Sequence, residues 1–458
     1  MIETVRAHVN RWNRWQERSV NRRIFSAALT VGGMTLLVRL FSIGNTIVVA
    51  RQFGAGDAMD AFLIAFIIPN FGANIVAGSF YAAFMPTFIQ VRERDGNEAA
   101  QRLFSNIMTL TVGLLSGLVL LLIVLSPVLL RLLGSSFSGT KLALAEHLFY
   151  LLIPILVING LATIWTTVLN ADEKFALAAL VPALPSLGSM IFVIVLARIW
   201  GIYAVAVGTL LGAVIQASLL GRALRRRELS LILRRPELDP NTKIVLKQFT
   251  PMVAGALIMG VSPLIDQAMA AMLGRGAVSE LSYGTRIVAV VTAIGTAALG
   301  SAVLPHFSKM VAHEDWAAVR HTLKTYFRLI VLTTIPLTIG LVVLSEPIVR
   351  LLYQRGAFTA ADTQVVSRVQ MMLLLEIPFY TLGILVVRLI SALKANRLLM
   401  YGAVINVIIN AVLNYIFMIR MGVAGIGLST VFVYIISFAY LFTVLMIVFR
   451  KEVIRARQ

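Results

Sequence analysis

The feature that most constrains this chain is a succession of apolar runs, each about as long as the stretch of roughly 20 residues a helix needs to cross 30 Å of hydrocarbon. Twelve can be read, at approximately 24–50, 61–91, 103–130, 142–170, 176–199, 201–221, 248–273, 281–305, 326–349, 364–393, 398–419 and 422–449. One water-soluble core cannot absorb them. Of the 458 residues, 59% are hydrophobic and 13% charged, against about half and a quarter in an ordinary soluble domain. The surplus must face lipid, and helices are the spanning form because each satisfies its own backbone hydrogen bonds. The expected fold class is all-α integral membrane, with about 12 transmembrane helices.

A formal charge of +19 would point to nucleic acid in a soluble protein, but here the position of the charge decides its meaning. With the N-terminus inside, 27 of the 40 Lys and Arg fall in the two tails and the even-numbered connections. Lysine and arginine bias short loops toward the cytoplasm, so both termini are expected there, with no nucleic-acid partner. There is no cysteine, which excludes disulfides and thiolate metal sites. Met1 to Arg23 lacks the apolar core and cleavage site of a signal peptide. Its Trp12 and Trp15 among Arg11, Arg14 and Arg18 read as an interfacial segment.

The polar stretch from Arg222 to Lys247 is long enough to join two halves, and the halves resemble each other. An offset near 220 relates Gly54, Gly56 and Pro86 to Gly274, Gly276 and Pro305 after one indel. The same offset brings SPVLLRLL (126–133) onto SEPIVRLL (345–352) and GIYAVAVGT (201–209) onto GVAGIGLST (422–430). Six spans per half is an even number, so the copies enter the membrane in the same direction. The expectation is two six-helix lobes, a parallel internal repeat around a central cavity, as in transporters that bind substrate between repeats. The boundaries are 1–23 for the interfacial segment, 24–221 for the N-lobe, 222–247 for the basic linker, 248–449 for the C-lobe and 450–458 for the tail.

Ionisable residues at membrane depth cost several kcal/mol, about 2.5–3.5 on the mildest scale, and usually face a cavity. Arg39, Asp60, Asp266, Arg286 and Arg388 fall inside or at the start of spans. Glu376 and Arg368 share the tenth span, eight residues apart, where an ion pair is the plain alternative to a function. Arginine offers a planar, permanently charged fork suited to a diphosphate, so Arg39 and Arg286 point to an anionic headgroup. The competing reading is that each snorkels or pairs with a carboxylate. No catalytic constellation appears: the five histidines form no metal-like pair within a span, and no nucleotide-binding or nucleophile motif is present. A transporter is expected rather than an enzyme.

The run ARQFGAGDAMDAFLIAFIIPN (50–70) with FMPTF (84–88) resembles the first helical pair of the MurJ (MviN) lipid II flippase family. VLNADEKFALAALVP (168–182), LSYGTRI (281–287), LPHFSK (304–309) and LLYQRGAFTAADT (351–363) resemble further segments of that family in the same order. The resemblance implies a flippase of the bacterial inner membrane that moves an undecaprenyl-diphosphate-linked glycan by alternating access, with membrane lipids around it and a monomer as the working unit. Arg39, Asp60 and Arg286 match family cavity positions by residue type. Two segments depart: GNTI (44–47), containing Asn45, stands where the family carries RDTI, and Ala73 in IPNFGAN stands where it carries arginine. The expected substrate-binding set is Arg39, Asp60, Arg286, Asn45 and Arg388. The lost arginines, and an end after span twelve where the family has two more helices, imply another polyprenyl-linked saccharide or a reduced lipid II flippase. Some members also resemble sodium-coupled carriers, and Asp266, Asn410, Asn414 and Thr430 fit that Na⁺ site. Oxygen ligands suit a hard cation, while amides that only bond between helices are the alternative. The alternative functions are a cation-coupled multidrug exporter of related fold and a membrane enzyme acting on lipid-linked glycans.

Overall fold

A computed structural model describes residues 20–455 except 173, 174, 228 and 234. Residues 1–19 of the interfacial segment, with Trp12 and Trp15, and the last three residues of the tail lie outside the described residues. The helices are α1 (Val20–Phe53), α2 (Asp57–Leu133), α3 (Gly139–Leu152), α4 (Pro154–Ala171), α5 (Phe175–Leu180), α6 (Leu184–Trp200), α7 (Tyr203–Arg225) and α8 (Pro240–Gly260). There follow α9 (Ser262–Ala271), α10 (Ala277–Ala312), α11 (Trp316–Val343), α12 (Ser345–Tyr353), α13 (Ala360–Leu374), α14 (Ile377–Ala392), α15 (Asn396–Met421) and α16 (Val423–Arg455). No strand occurs among the described residues.

Eleven helical stretches among the described residues are long and apolar enough to cross a membrane. The longest, α2, has non-helical backbone at Gly96 (φ 85°, ψ 178°) between two apolar halves, which accounts for two of the twelve expected spans. Glycine tolerates that conformation because it has no Cβ. Three of the expected spans that are broken into more than one helix are α3–α4, α8–α9 and α13–α14. In each, a proline stands at the first or second position of the later helix: Pro154, Pro263 and Pro378. Proline lacks an N–H and crowds the preceding turn, so the first helix ends there while the second begins without loss.

Contacts divide the chain into two compact units. The first gathers the chain up to Thr46 with Gly72–Ile123 and Leu151–Met252; the second gathers Ile47–Phe71, Val124–Tyr150 and the chain from Val253. Two stretches of the first sequence half therefore pack with the second half.

Within the first unit, α6 and α7 touch backbone to backbone. A Cβ added at Gly188 would meet the Gly208 carbonyl oxygen at 2.3 Å, and one at Gly212 would meet that of Leu184 at 2.3 Å. Small residues allow this approach, where dispersion and weak polar contacts hold helices together without help from water. The core of the second unit is formed by α10, α11, α14 and α16, through Val303, Phe307, Ile330, Leu385, Leu389 and Leu445.

The repeat reappears in the backbone. Gly201 and Gly422 end α6 and α15 with nearly the same left-handed geometry, φ 54° and ψ −137° against φ 60° and ψ −141°. Each is followed at once by the next spanning helix. The matched serines also behave alike: Ser126 bonds Tyr150 at 3.1 Å, and Ser345 donates to the Ser367 carbonyl at 3.0 Å, in each case tying to a helix further along the same unit.

Candidate functional site

The repeated glycine segments meet at one end of the second unit. Gly54 (φ +59°) lies against the Ala357 backbone, Gly356 (φ +62°) against the Arg51 carbonyl, and Gly276 (φ +83°) against that of Ala55. At all three the conformation favours glycine, and a Cβ would fall within 3 Å of backbone oxygen. The Ala357 N–H donates to Arg51 O at 2.8 Å, and the Tyr283 hydroxyl donates to Gly54 O at 3.1 Å. Below them Tyr283, Tyr353 and Phe358 form a buried aromatic trio with ring centroids 5.4 to 5.7 Å apart.

Asp60 clamps this junction. It is fully buried, and its two oxygens accept four hydrogen bonds. Oδ1 accepts from the Ser279 N–H at 2.9 Å and the Ser279 hydroxyl at 2.5 Å; Oδ2 accepts from the Gly276 N–H and the Lys141 ammonium, both at 2.7 Å. Gly276 is the N-cap of α10, so the carboxylate satisfies orphan N–H groups at a helix N-terminus and meets its positive dipole end. Lys141 also pairs with Asp57 at 2.8 Å and lies 4.1 Å from the Phe137 ring centroid. Asp60, expected among the substrate ligands, is thus held by protein donors here. Lys141 and Ser279, absent from the sequence-based set, complete the clamp.

The expected cations differ in setting. Arg39, in the first unit, lines a cavity of about 620 Å³ with Tyr81, Met85, Asn170 and Pro182. Asn45, two turns further along α1, has its side-chain oxygen buried without a hydrogen-bond partner. Arg286 and Arg388, in the second unit, are half-buried, and the Nε of each is buried without a hydrogen-bond partner among the described residues. Arg286 lies three residues after Tyr283 on α10, within electrostatic reach of Tyr353, whose buried hydroxyl also lacks a partner.

Another hollow of the first unit, about 690 Å³, is lined by Arg92, Arg102, Asp172 and Arg227. There Asp172 bonds Arg92 at 2.5 Å and Arg227 at 2.6 Å, so much of its positive charge is answered by the protein itself.

Asp266, Asn410 and Asn414 come together. Asp266 Oδ1 accepts from Asn410 Nδ2 at 3.0 Å and from Asn414 Nδ2 at 2.6 Å. Both asparagines are buried, and the side-chain oxygen of each has no hydrogen-bond partner among the described residues. Thr430 donates its hydroxyl proton to Ile426 O at 3.1 Å, leaving its oxygen lone pairs available. A carboxylate beside two orphan amide oxygens is a donor set that fits a hard cation.

The profile of the lipid II flippase MurJ family matches residues 49–454. The chain belongs to this family. The lipid II flippase MurJ of Burkholderia cenocepacia is 27% identical over 423 residues, which cover 89% of this chain and 80% of that one. The probable lipid II flippase MurJ of Vibrio cholerae is 26% identical over 443 residues, covering 90% and 81%. Among solved structures, a lipid II flippase MurJ in an inward closed conformation shares the fold with a TM-score of 0.78 at 23% identity, covering 93% of this chain and 90% of that one. An inward-facing multidrug resistance MATE family transporter shares it equally, with a TM-score of 0.78 at 14% identity, covering 93% and 98%. The fold alone therefore does not separate flippase from multidrug exporter; the family match does. Membership places the chain among flippases, multi-span membrane transporters rather than enzymes.

Proposed function

We propose that this chain moves a polyprenyl-diphosphate-linked saccharide, either lipid II or a polysaccharide repeat unit, from the cytoplasmic to the outer leaflet of a bacterial inner membrane by alternating access. The observation that carries the reading is Arg286. A guanidinium at membrane depth whose Nε has no acceptor among the described residues, in a chain of a flippase family, is a donor awaiting an anion. A diphosphate supplies paired oxygens that match its fork. Arg39 on the wall of its cavity is the corresponding cation of the first unit.

The distribution of Lys and Arg supports cytoplasmic termini, which puts the odd-numbered connections outside. In that topology the clamp of Asp60, Lys141, Gly276 and Ser279 is the outer seal, and the transport cycle must break it. The four hydrogen bonds on Asp60 would have to part together. Asp266, Asn410, Asn414 and Thr430 would hold Na⁺ as coupling ion, and the orphan amide oxygens support this set. When bound, the ion would supply the positive charge that this half-buried carboxylate otherwise lacks. The working unit is a monomer.

Arg286 is tested by substitution with leaflet accessibility of defined lipid-linked saccharides in vesicles as readout. Arg286→Ala should abolish transport at normal membrane abundance. Arg286→Lys should restore it only in part, because an ammonium lacks the bidentate fork. Full transport by the alanine variant would refute the assignment.

A further inference from the structure

Glu376 is a buried acid to which the roles above give no part. It stands at the turn between α13 and α14, is 7% exposed, and among the described residues its carboxylate makes no hydrogen bond or ion pair. The pairing with Arg368 that the eight-residue spacing allowed is not formed. α13 ends at Leu374 and α14 starts at Ile377, so the two residues are not in the register of one continuous helix, and Arg368 is exposed.

The surroundings of Glu376 lead to Asp266. Tyr380 follows Glu376 by one turn and shares its face. The Tyr380 ring meets that of Tyr434 edge-on, with centroids 5.2 Å apart. Tyr434 in turn lies one turn after Thr430 on α16, the residue already placed in the Na⁺ set. Asp266 and Glu376 lie within electrostatic reach of each other, and Tyr434 within reach of both. Neither acid has a Lys or Arg ion-pair partner among the described residues. Two carboxylates at membrane depth without basic counter-charge call for a cation from outside the chain.

We propose that Glu376 is the second acidic member of the cation site, so that it and Asp266 share one hard monovalent cation with the orphan amide oxygens of Asn410 and Asn414. The proposal rests on the cation-site reading above. The four ligands come from α9, α15 and the α13–α14 turn, so the ion would tie two broken spans to a third helix.

The test is thermal unfolding of the full chain in lipid nanodiscs against NaCl, with choline chloride holding ionic strength constant. NaCl should raise the melting temperature of the wild type with a saturable midpoint, and Asp266→Asn should abolish the response. Glu376→Gln keeps size and shape, and should move the midpoint upward about tenfold or more, because one of the two carboxylate charges on the ion is lost. A wild-type midpoint for Glu376→Gln, with the response lost in Asp266→Asn, overturns the role of Glu376 and leaves the cation site standing. No saturable response in the wild type, or an unchanged one in Asp266→Asn, overturns both. Should Glu376→Gln not fold, Glu376→Ala takes its place, and an unchanged midpoint there counts equally against the proposal.

Discussion

Asp60 illustrates how far a buried carboxylate depends on its partners. Asp60→Asn keeps the shape but turns one oxygen into a donor, so two of its four incoming N–H or O–H groups lose their acceptor and Lys141 keeps Asp57 alone. Removing one partner of a buried ion pair typically costs about 3–5 kcal/mol. The Asp60→Asn chain should therefore melt several degrees lower, and adding Lys141→Met should recover part of the loss by removing the stranded charge. Additive losses in that double-mutant cycle would show that the two side chains are not coupled. Reading Asp60 as a charged residue of consequence needed only the sequence. Its partners did not appear there, because Lys141 is 81 residues away and Gly276 and Ser279 are 216 and 219 away. The signal available for Ser279 was its place three residues after a glycine at a helix start, where a helix needs outside acceptors.

At the scale of elements, the linker after α7 is strapped rather than loose. Gln101 accepts from the Ser230 N–H at 3.1 Å and donates to the Ser230 carbonyl at 3.0 Å. Asn106 does the same for Glu237, at 3.1 and 2.9 Å. Each amide mimics a neighbouring strand for one residue of linker. The double variant Gln101→Ala with Asn106→Ala should make the 222–247 stretch, rich in arginine, several times more sensitive to limited trypsin digestion while the spans stay intact. An unchanged digestion rate would mean that the strap contributes no local stability. The α6–α7 contact offers a second measurement. A side chain at Gly208 would meet the Gly188 carbonyl oxygen at 2.6 Å, whereas one at Gly113 meets nothing within 4 Å. Gly208→Val should lower thermal stability by about 1–3 kcal/mol or more, as overpacking does, and Gly113→Ala should leave it nearly unchanged. The small residues of both helices were visible in the sequence; which of them face each other was not.

For the whole molecule, topology and the outer seal are the accessible questions. The chain has no cysteine, so a single introduced thiol reports its own position. Leu238, exposed in the linker, is suited to this: Leu238→Cys should react with an impermeant maleimide only in opened cells or inverted vesicles. Reaction in intact cells would reverse the proposed orientation. The seal can be locked in the same way. Asp57 and Arg275 lie across the clamp, with Arg275 Nε 3.7 Å from Asp57 Oδ2. A short thiol crosslinker between Asp57→Cys and Arg275→Cys should stop transport, and each single variant with the same reagent should retain it. Transport through the crosslinked protein would mean that this junction stays closed during the cycle.

Span number, fold class, the parallel repeat and the family were legible in the sequence because each rests on a local or ordered pattern. Apolar run length is set by bilayer thickness, repeated segments keep their offset, and family segments keep their order. Even the breaks at Pro154, Pro263 and Pro378 were written in residue type, although unbroken spans were expected there. The tertiary structure alone decided which charges are spoken for: Asp60 by four protein donors, Asp172 by two arginines, Asp266 by two amides, and Glu376 by none. The physical reason is that a charge at membrane depth takes its role from whichever groups packing brings within about 3 Å of it, and helices distant in sequence supply most of them.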